Sequence, residues 1–159
     1  MTSATAPAPA PRSAPGARAV GSIRLILLAT DLSPASAGAA VQALDLAHDL
    51  GADVLVMSAI EPRDPHPDRI TKRLDHLRLE RELAAQDVVA RGRARGVNVR
   101  FLIWDGTPGE AIVEVARSEQ VDMVVVGSHG RGMVGRFFVG SVSEYVVRHA
   151  PCPVLVVRA

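Results

Sequence analysis

The sequence predicts a doubly wound α/β sandwich made of a single domain, and three observations support this. Five short apolar runs alternate with segments of helical periodicity, which implies parallel strands joined by right-handed crossovers. The second run, Asp53–Ile60, is nearly continuous in apolar residues, as a strand buried on both faces is. The 159 residues, 48% of them apolar but only 3% aromatic, suffice for one core of aliphatic side chains.

The chain opens on an Ala/Pro-rich tail, residues 1–21, whose only charged side chains are Arg12 and Arg18. It lacks the apolar block of a secretory signal and reads as a disordered extension, leaving 22–159 as the folded domain. The first strand runs through Ile23, Leu25, Ile26, Leu27 and Leu28 and stops at Ala29-Thr30-Asp31. Ser33 as N-cap and Pro34 at the first helical position open a helix with Ala37, Ala40, Val41, Leu44 and Ala47 inward, closed by Leu50-Gly51. After the second strand, Glu61–Asp68 carries too many prolines for regular structure and is expected to be a surface loop. Ile70, Leu74, Leu77, Ala84, Ala85 and Val88 then recur at helical spacing as far as Gly96. Arg81 falls on the same face, so either this helix is partly buried or the arginine stem snorkels.

In the third strand, Val97–Trp104, apolar Val97, Val99 and Phe101 alternate with Asn98 and Arg100, the pattern of an edge. Thr107-Pro108-Gly109-Glu110 reads as a capping box for a helix with Ile112, Val115 and Ala116 inward. The fourth strand, Met123–Val126, leads directly into Gly127, Gly130, Gly132 and Gly135, and then Gly140-Ser141. A second capping box, Ser141 to Glu144 with Ser141 as N-cap, starts a short helix with Val142, Tyr145 and Val146 inward. Val154–Val157 is the last strand.

Charge and composition narrow the functional classes. A net charge of +1, with arginines spread among acids, gives no electrostatic case for nucleic acid or a membrane surface. No apolar run approaches the roughly 18 residues of a membrane span. The single Cys152 excludes an internal disulfide and, between Pro151 and Pro153, reads as a small buried residue. His48, His66, His76 and His149 show no ligand spacing for a metal.

The glycines after the fourth strand carry the functional signal. Residues without Cβ atoms let several backbone N–H groups turn toward one point, and the helix N-terminus beyond them points at the same spot, which suits phosphate. In this fold class, ligands lie beyond the carboxyl ends of the strands. There Asp31 can hold ribose hydroxyls or a divalent ion, or serve only as a helix cap; Ser58, Ala59 and Ile60 can offer backbone to an adenine edge; Arg131 or Arg136 can balance phosphate charge. His129 is a loop residue within reach of phosphate or solvated. Met133 stands where a P-loop needs lysine, and Gly130–Gly135 fits G-x-G-x-x-G too late in the chain for a dinucleotide fingerprint.

The pattern G-x-x-G, nine residues, then Gly-Ser, filled by Gly127, Gly130, Gly140 and Ser141, resembles the nucleotide motif of the ATP-binding branch of the universal stress protein family. The resemblance extends over Thr30-Asp31-x-Ser33, Gly106-x-Pro108 and the finish Pro151-x-Pro153-Val154-Leu155-Val156-Val157. It implies an adenine nucleotide alpha-hydrolase-like fold with a five-stranded parallel sheet in the order 3-2-1-4-5. It implies ATP, with Mg2+ or Mn2+, held on one side by Thr30, Asp31 and Ala59. On the other side it implies Val126, Gly127, Ser128, Gly130 and Arg131, with Gly140, Ser141, Val142 and Ser143 closing over the phosphates; Asp31 would share a metal with them. It further implies a cytoplasmic homodimer paired through the C-terminal strand, residues 153–158. Ala29 stands where some nucleotide-binding members have proline, and Ala59 where they have valine.

The expected function is that of a nucleotide-dependent regulatory module in stress response. The alternative is a homodimeric interaction protein of the same fold that binds no nucleotide. An enzyme ranks last, with at most weak ATP hydrolysis and no identifiable catalytic residue, since G-x-S-x-G, paired carboxylates and a phosphate lysine are all missing from the loop.

Overall fold

Five parallel strands form one sheet in the order β3-β2-β1-β4-β5, comprising β1 (Leu25–Ala29), β2 (Asp53–Ile60), β3 (Val99–Asp105), β4 (Met123–Gly127) and β5 (Val154–Val157). The helices are α1 (Ala37–Leu50), α2 (Pro67–Ala94), α3 (Pro108–Ser118) and α4 (Ser141–His149), with a 3-10 turn at Pro34–Ser36. The computed structural model describes residues 22–62, 67–128 and 140–158. The tail 1–21, residues 63–66, and 129–139 with His129, Gly130, Arg131, Gly132, Gly135, Arg136, Phe137 and Phe138 lie outside the described residues.

Alternation along the central strands divides the core into two layers. Leu25, Leu27 and Ala29 face one side with Leu55, Met57, Val124 and Val126, against Ile112, Val115 and Ala116 of α3 and Val146 of α4. Ile26 and Leu28 face the other with Val54, Val56 and Val125, against α1 and Val88 of α2. Ile26, Leu27 and Leu28 are fully buried; each such side chain stabilises by about 1.5–3 kcal/mol relative to exposure. Two glycines let helices approach closely. A Cβ on Gly92 would run into the Val99 side chain, which seats the end of α2 on β3. A Cβ on Gly109 would lie 2.8 Å from the Tyr145 ring, so the bare backbone of α3 is what admits α4.

Several expectations are corrected. Because Pro34–Ser36 forms a 3-10 turn, the face of α1 is rotated. Ala39 and Ala43 are buried with Ala40, Leu44 and Ala47, while Ala37 is exposed and Val41 half-buried. The expected loop from Glu61 ends earlier than Asp68, because Pro67 starts α2, where proline lacks only an N–H that has no helical partner anyway. Thr107 is the N-cap of α3 but makes no side-chain capping bond; its carbonyl accepts the Ala111 N–H at 3.0 Å. The N-cap of α4 is Gly140, not Ser141, so Glu144 falls beyond the capping position and pairs with Arg148 at 2.8 Å. Val142 is therefore exposed rather than inward. Cys152 is half-buried; burial, and then the negative charge of Asp122, push its thiol above its ordinary range, which keeps it a packing residue.

Candidate functional site

The site lies where β1 and β4, neighbours in the sheet, both end. Ala29 is paired with Val126 across this junction and with Met57 on its other side. Beyond it the chain turns away sharply, and short polar side chains hold the turn. Leu32 sits in the left-handed region at φ 58°, costly for a branched residue. Thr30 Oγ1 offsets that cost by accepting the Leu32 N–H at 3.0 Å. The same hydroxyl donates to Ser36 Oγ at 2.8 Å, and Ser36 Oγ donates to the Ser33 carbonyl at 2.8 Å. Asp31 Oδ1 accepts both the Ser33 N–H at 2.9 Å and the Ser33 hydroxyl at 2.6 Å. The N-cap of the 3-10 turn is thus Ser33, with its hydroxyl committed to Asp31, and Asp31 braces the turn from outside it.

The charge state of Asp31 follows from these contacts. Burial alone would push its carboxyl up; the Ser33 hydroxyl and amide, the Ser36 hydroxyl and the positive charge of Arg81 outweigh it and hold the carboxyl below the ordinary range. Asp31 is an anion at neutral pH.

Ala59 contributes backbone. On the β1 side of β2, Asp53 N–H donates to Arg24 and the Met57 carbonyl accepts from Thr30; on the β3 side, Val54 N–H donates to Asn98 and the Ile60 carbonyl accepts from Gly106. Odd-numbered residues of β2 therefore address β1. Ala59 is the next odd position, and β1 has already ended there, so its amide and carbonyl are directed at the gap the chain leaves.

The opposite wall is held mainly by main-chain bonds. Ser128 is buried, donates its N–H to the Val157 carbonyl at 2.8 Å, and accepts the Gly140 N–H at 2.9 Å. That second bond ties residue 128 to 140 and sets the start of α4 beside the end of β4. The first intrahelical bond runs from Glu144 N–H to the Gly140 carbonyl, which also accepts the Ser143 hydroxyl at 2.9 Å. The amides of Ser141, Val142 and Ser143, at the positive end of the helix dipole, thus have no helical acceptor.

These walls enclose a cavity of about 370 Å³, within the range of small-molecule sites. Of the residues expected at the site, Thr30, Asp31, Ala59, Val126, Gly127, Gly140, Ser141, Val142 and Ser143 line it; Ser128 braces it from behind; Gly130 and Arg131 lie outside the described residues. Residues not foreseen also line it: Met57, Pro108 and Ile112 as apolar wall, with Ser36, Glu61 and Arg81 as polar groups. Arg81 donates Nη1–H to the buried Ser58 hydroxyl at 2.6 Å. A cation on an otherwise apolar helical stripe was the only sequence signal for it. Among the described residues no group of three His, Cys, Asp or Glu side chains could hold a metal by itself, and Asp31 and Glu61 are the carboxylates in the cavity wall. No described helix is long and apolar enough to cross a membrane.

Comparison with known proteins agrees with this architecture. The sequence model of the universal stress protein family matches residues 22–158. A universal stress protein of Thermus aquaticus is 41% identical over 138 residues, covering 85% of this chain and 98% of that protein. The solved structure of universal stress protein UspA from Lactobacillus plantarum superposes with a TM-score of 0.80 at 27% identity, covering 86% of this chain and 98% of that one. A universal stress protein solved in complex with cAMP superposes with a TM-score of 0.66 over 87% of this chain and 98% of that one; at 24% identity the likeness is one of fold.

Proposed function

The chain belongs to the universal stress protein family, and from that premise we propose that it binds ATP between the ends of β1 and β4 and acts as a nucleotide-dependent regulatory module of the stress response in the cytoplasm. One observation carries this reading. A single cavity has backbone suited to a purine edge on one side, at Ala59, and helix N-terminal amides suited to phosphate on the other, at Ser141–Ser143. Asp31, held ionised between them, accepts ribose hydroxyls or shares Mg2+ or Mn2+ with the phosphates. Gly127, and in the adjoining segment Gly130 and Arg131, complete the phosphate side. The relative solved with cAMP supports an adenine nucleotide as the ligand class.

The decisive measurement is calorimetric titration of the full chain with ATP and magnesium, beside Gly140→Val. Wild type binds in the micromolar range, and the folded variant, with a branched side chain where the walls join, loses at least about tenfold. Absence of binding by both proteins would leave the alternative, an interaction protein that uses the fold without nucleotide. A surface feature favours dimerisation under either reading. Among the described residues β5 is the edge of the sheet, paired with β4 alone, and its Leu155 is exposed, so the strand 153–158 is suited to pair with its own copy across a two-fold axis. A monomer by light scattering at micromolar concentration removes that interface.

A further inference from the structure

Helix α2 delivers two guanidinium groups to the carboxyl edge of the sheet, and they meet different partners. Arg78 forms an ion pair with Asp105 at the end of β3. Arg81, three residues on and so on the same face, donates to the Ser58 hydroxyl of β2 at 2.6 Å and lines the cavity. Ala85 and Val88, on the same helix, are buried against the sheet. The cavity itself gives a cation a role. Asp31 and Glu61 both line it, and a nucleotide brings further negative charge to the same walls.

We propose that Arg81 is the charge-compensating residue of this pocket: from its seat on Ser58 it offsets the Asp31 carboxylate, so that an anionic nucleotide can lie alongside. The proposal rests on the nucleotide reading of the cavity and adds to it a determinant of ligand charge on a helix outside the glycine motif. Ser58 holds the guanidinium on β2, the strand that also carries Ala59, rather than at the start of α4. Loss of Arg81 should therefore act through Asp31, in proportion to the charge of the ligand.

The test is a ligand series. Adenosine, AMP and ATP are titrated into wild type, Arg81→Gln, Asp31→Asn and the double variant; glutamine retains a donor for Ser58 while removing the charge. Arg81→Gln weakens ATP about tenfold and adenosine less than about twofold, and Asp31→Asn costs less ATP affinity in the Arg81→Gln background than alone. Equal losses for adenosine and ATP, or no coupling between the two positions, would overturn the proposal. Arg81→Lys, which keeps the charge, restores the ATP-to-adenosine ratio and serves as the folded comparison if the glutamine variant is unstable. Wild type that binds none of the three overturns the nucleotide reading instead. The role of Arg81 is then decided by the Asp31 carboxyl titration followed by NMR, which moves up in Arg81→Gln if the two groups are coupled and stays in place if they are not.

Discussion

The two walls of the cavity are built from different materials. On the β1 side the chain is held by side chains: Thr30, Asp31, Ser33 and Ser36 bond to one another and to local backbone, and Arg81 arrives from a helix fifty residues away in sequence. On the β4 side the wall is held by main-chain bonds: the Ser128 carbonyl holds the Gly140 amide, and the first residues of α4 line the cavity. The difference lies in how each wall tolerates change. A side-chain wall can be dismantled one atom at a time, whereas a backbone wall depends on where its helix is placed. The β4 wall should thus be most sensitive to remote packing and the β1 wall to conservative local substitution.

The largest effect is expected where packing places α4. Gly109→Ala puts a Cβ 2.8 Å from the Tyr145 ring, and the overlap forces α4 off α3, costing about 1–3 kcal/mol of stability. Because the start of α4 forms the β4 wall, ATP affinity should fall with it although residue 109 lies outside the cavity. Urea unfolding together with ATP titration checks both, and a variant that loses stability but keeps full ATP affinity breaks the link between helix placement and the site.

A smaller effect separates the walls directly. Thr30→Val removes an acceptor from the Leu32 N–H and a donor from Ser36, freeing a strained turn, at about 1–2 kcal/mol. Ser143→Ala removes one bond to a carbonyl that Glu144 still donates to, at about 0.5 kcal/mol. Matched denaturant melts rank the two; equal losses would mean that side chains support both walls alike.

The same contrast explains what could be read in the sequence. The β4 wall was legible because glycines at fixed spacing mark a backbone that must turn, and Gly127 and Gly140 do meet through Ser128. The sheet order followed from the family resemblance, and the edge position of β3 from alternation at Val97, Val99 and Phe101. Local hydrogen bonding was less legible. Both S/T-x-x-E matches named a helix start but not a side-chain cap; at Gly140 the bare glycine carries the cap through its carbonyl and leaves Ser141 inside the helix. The 3-10 turn at Pro34 shifted the face of α1, since the 3.6-residue period was counted from the wrong origin. Arg81 and Glu61 reach the cavity only through tertiary packing, and no spacing along the chain relates them to Asp31.

The smallest effect is a pH dependence confined to the β1 wall. The Asp31 carboxyl titrates lower in the folded chain than the ordinary value of about 3.9, so the unfolded chain takes up its proton first as pH falls. Its contribution to stability is therefore present above about pH 4 and is lost as pH drops through the folded value. Asp31→Asn removes the titrating group while keeping an acceptor for Ser33. The stability gap between wild type and variant should be widest near pH 7 and narrow by pH 3, in urea unfolding at both values. The gap is modest, because Asp31 is only half-buried and solvent screens the charges around it. A gap unchanged between the two pH values would mean that the Ser33 hydroxyl and amide hold the turn equally well without a charge, and that the polar wall is built from neutral hydrogen bonds.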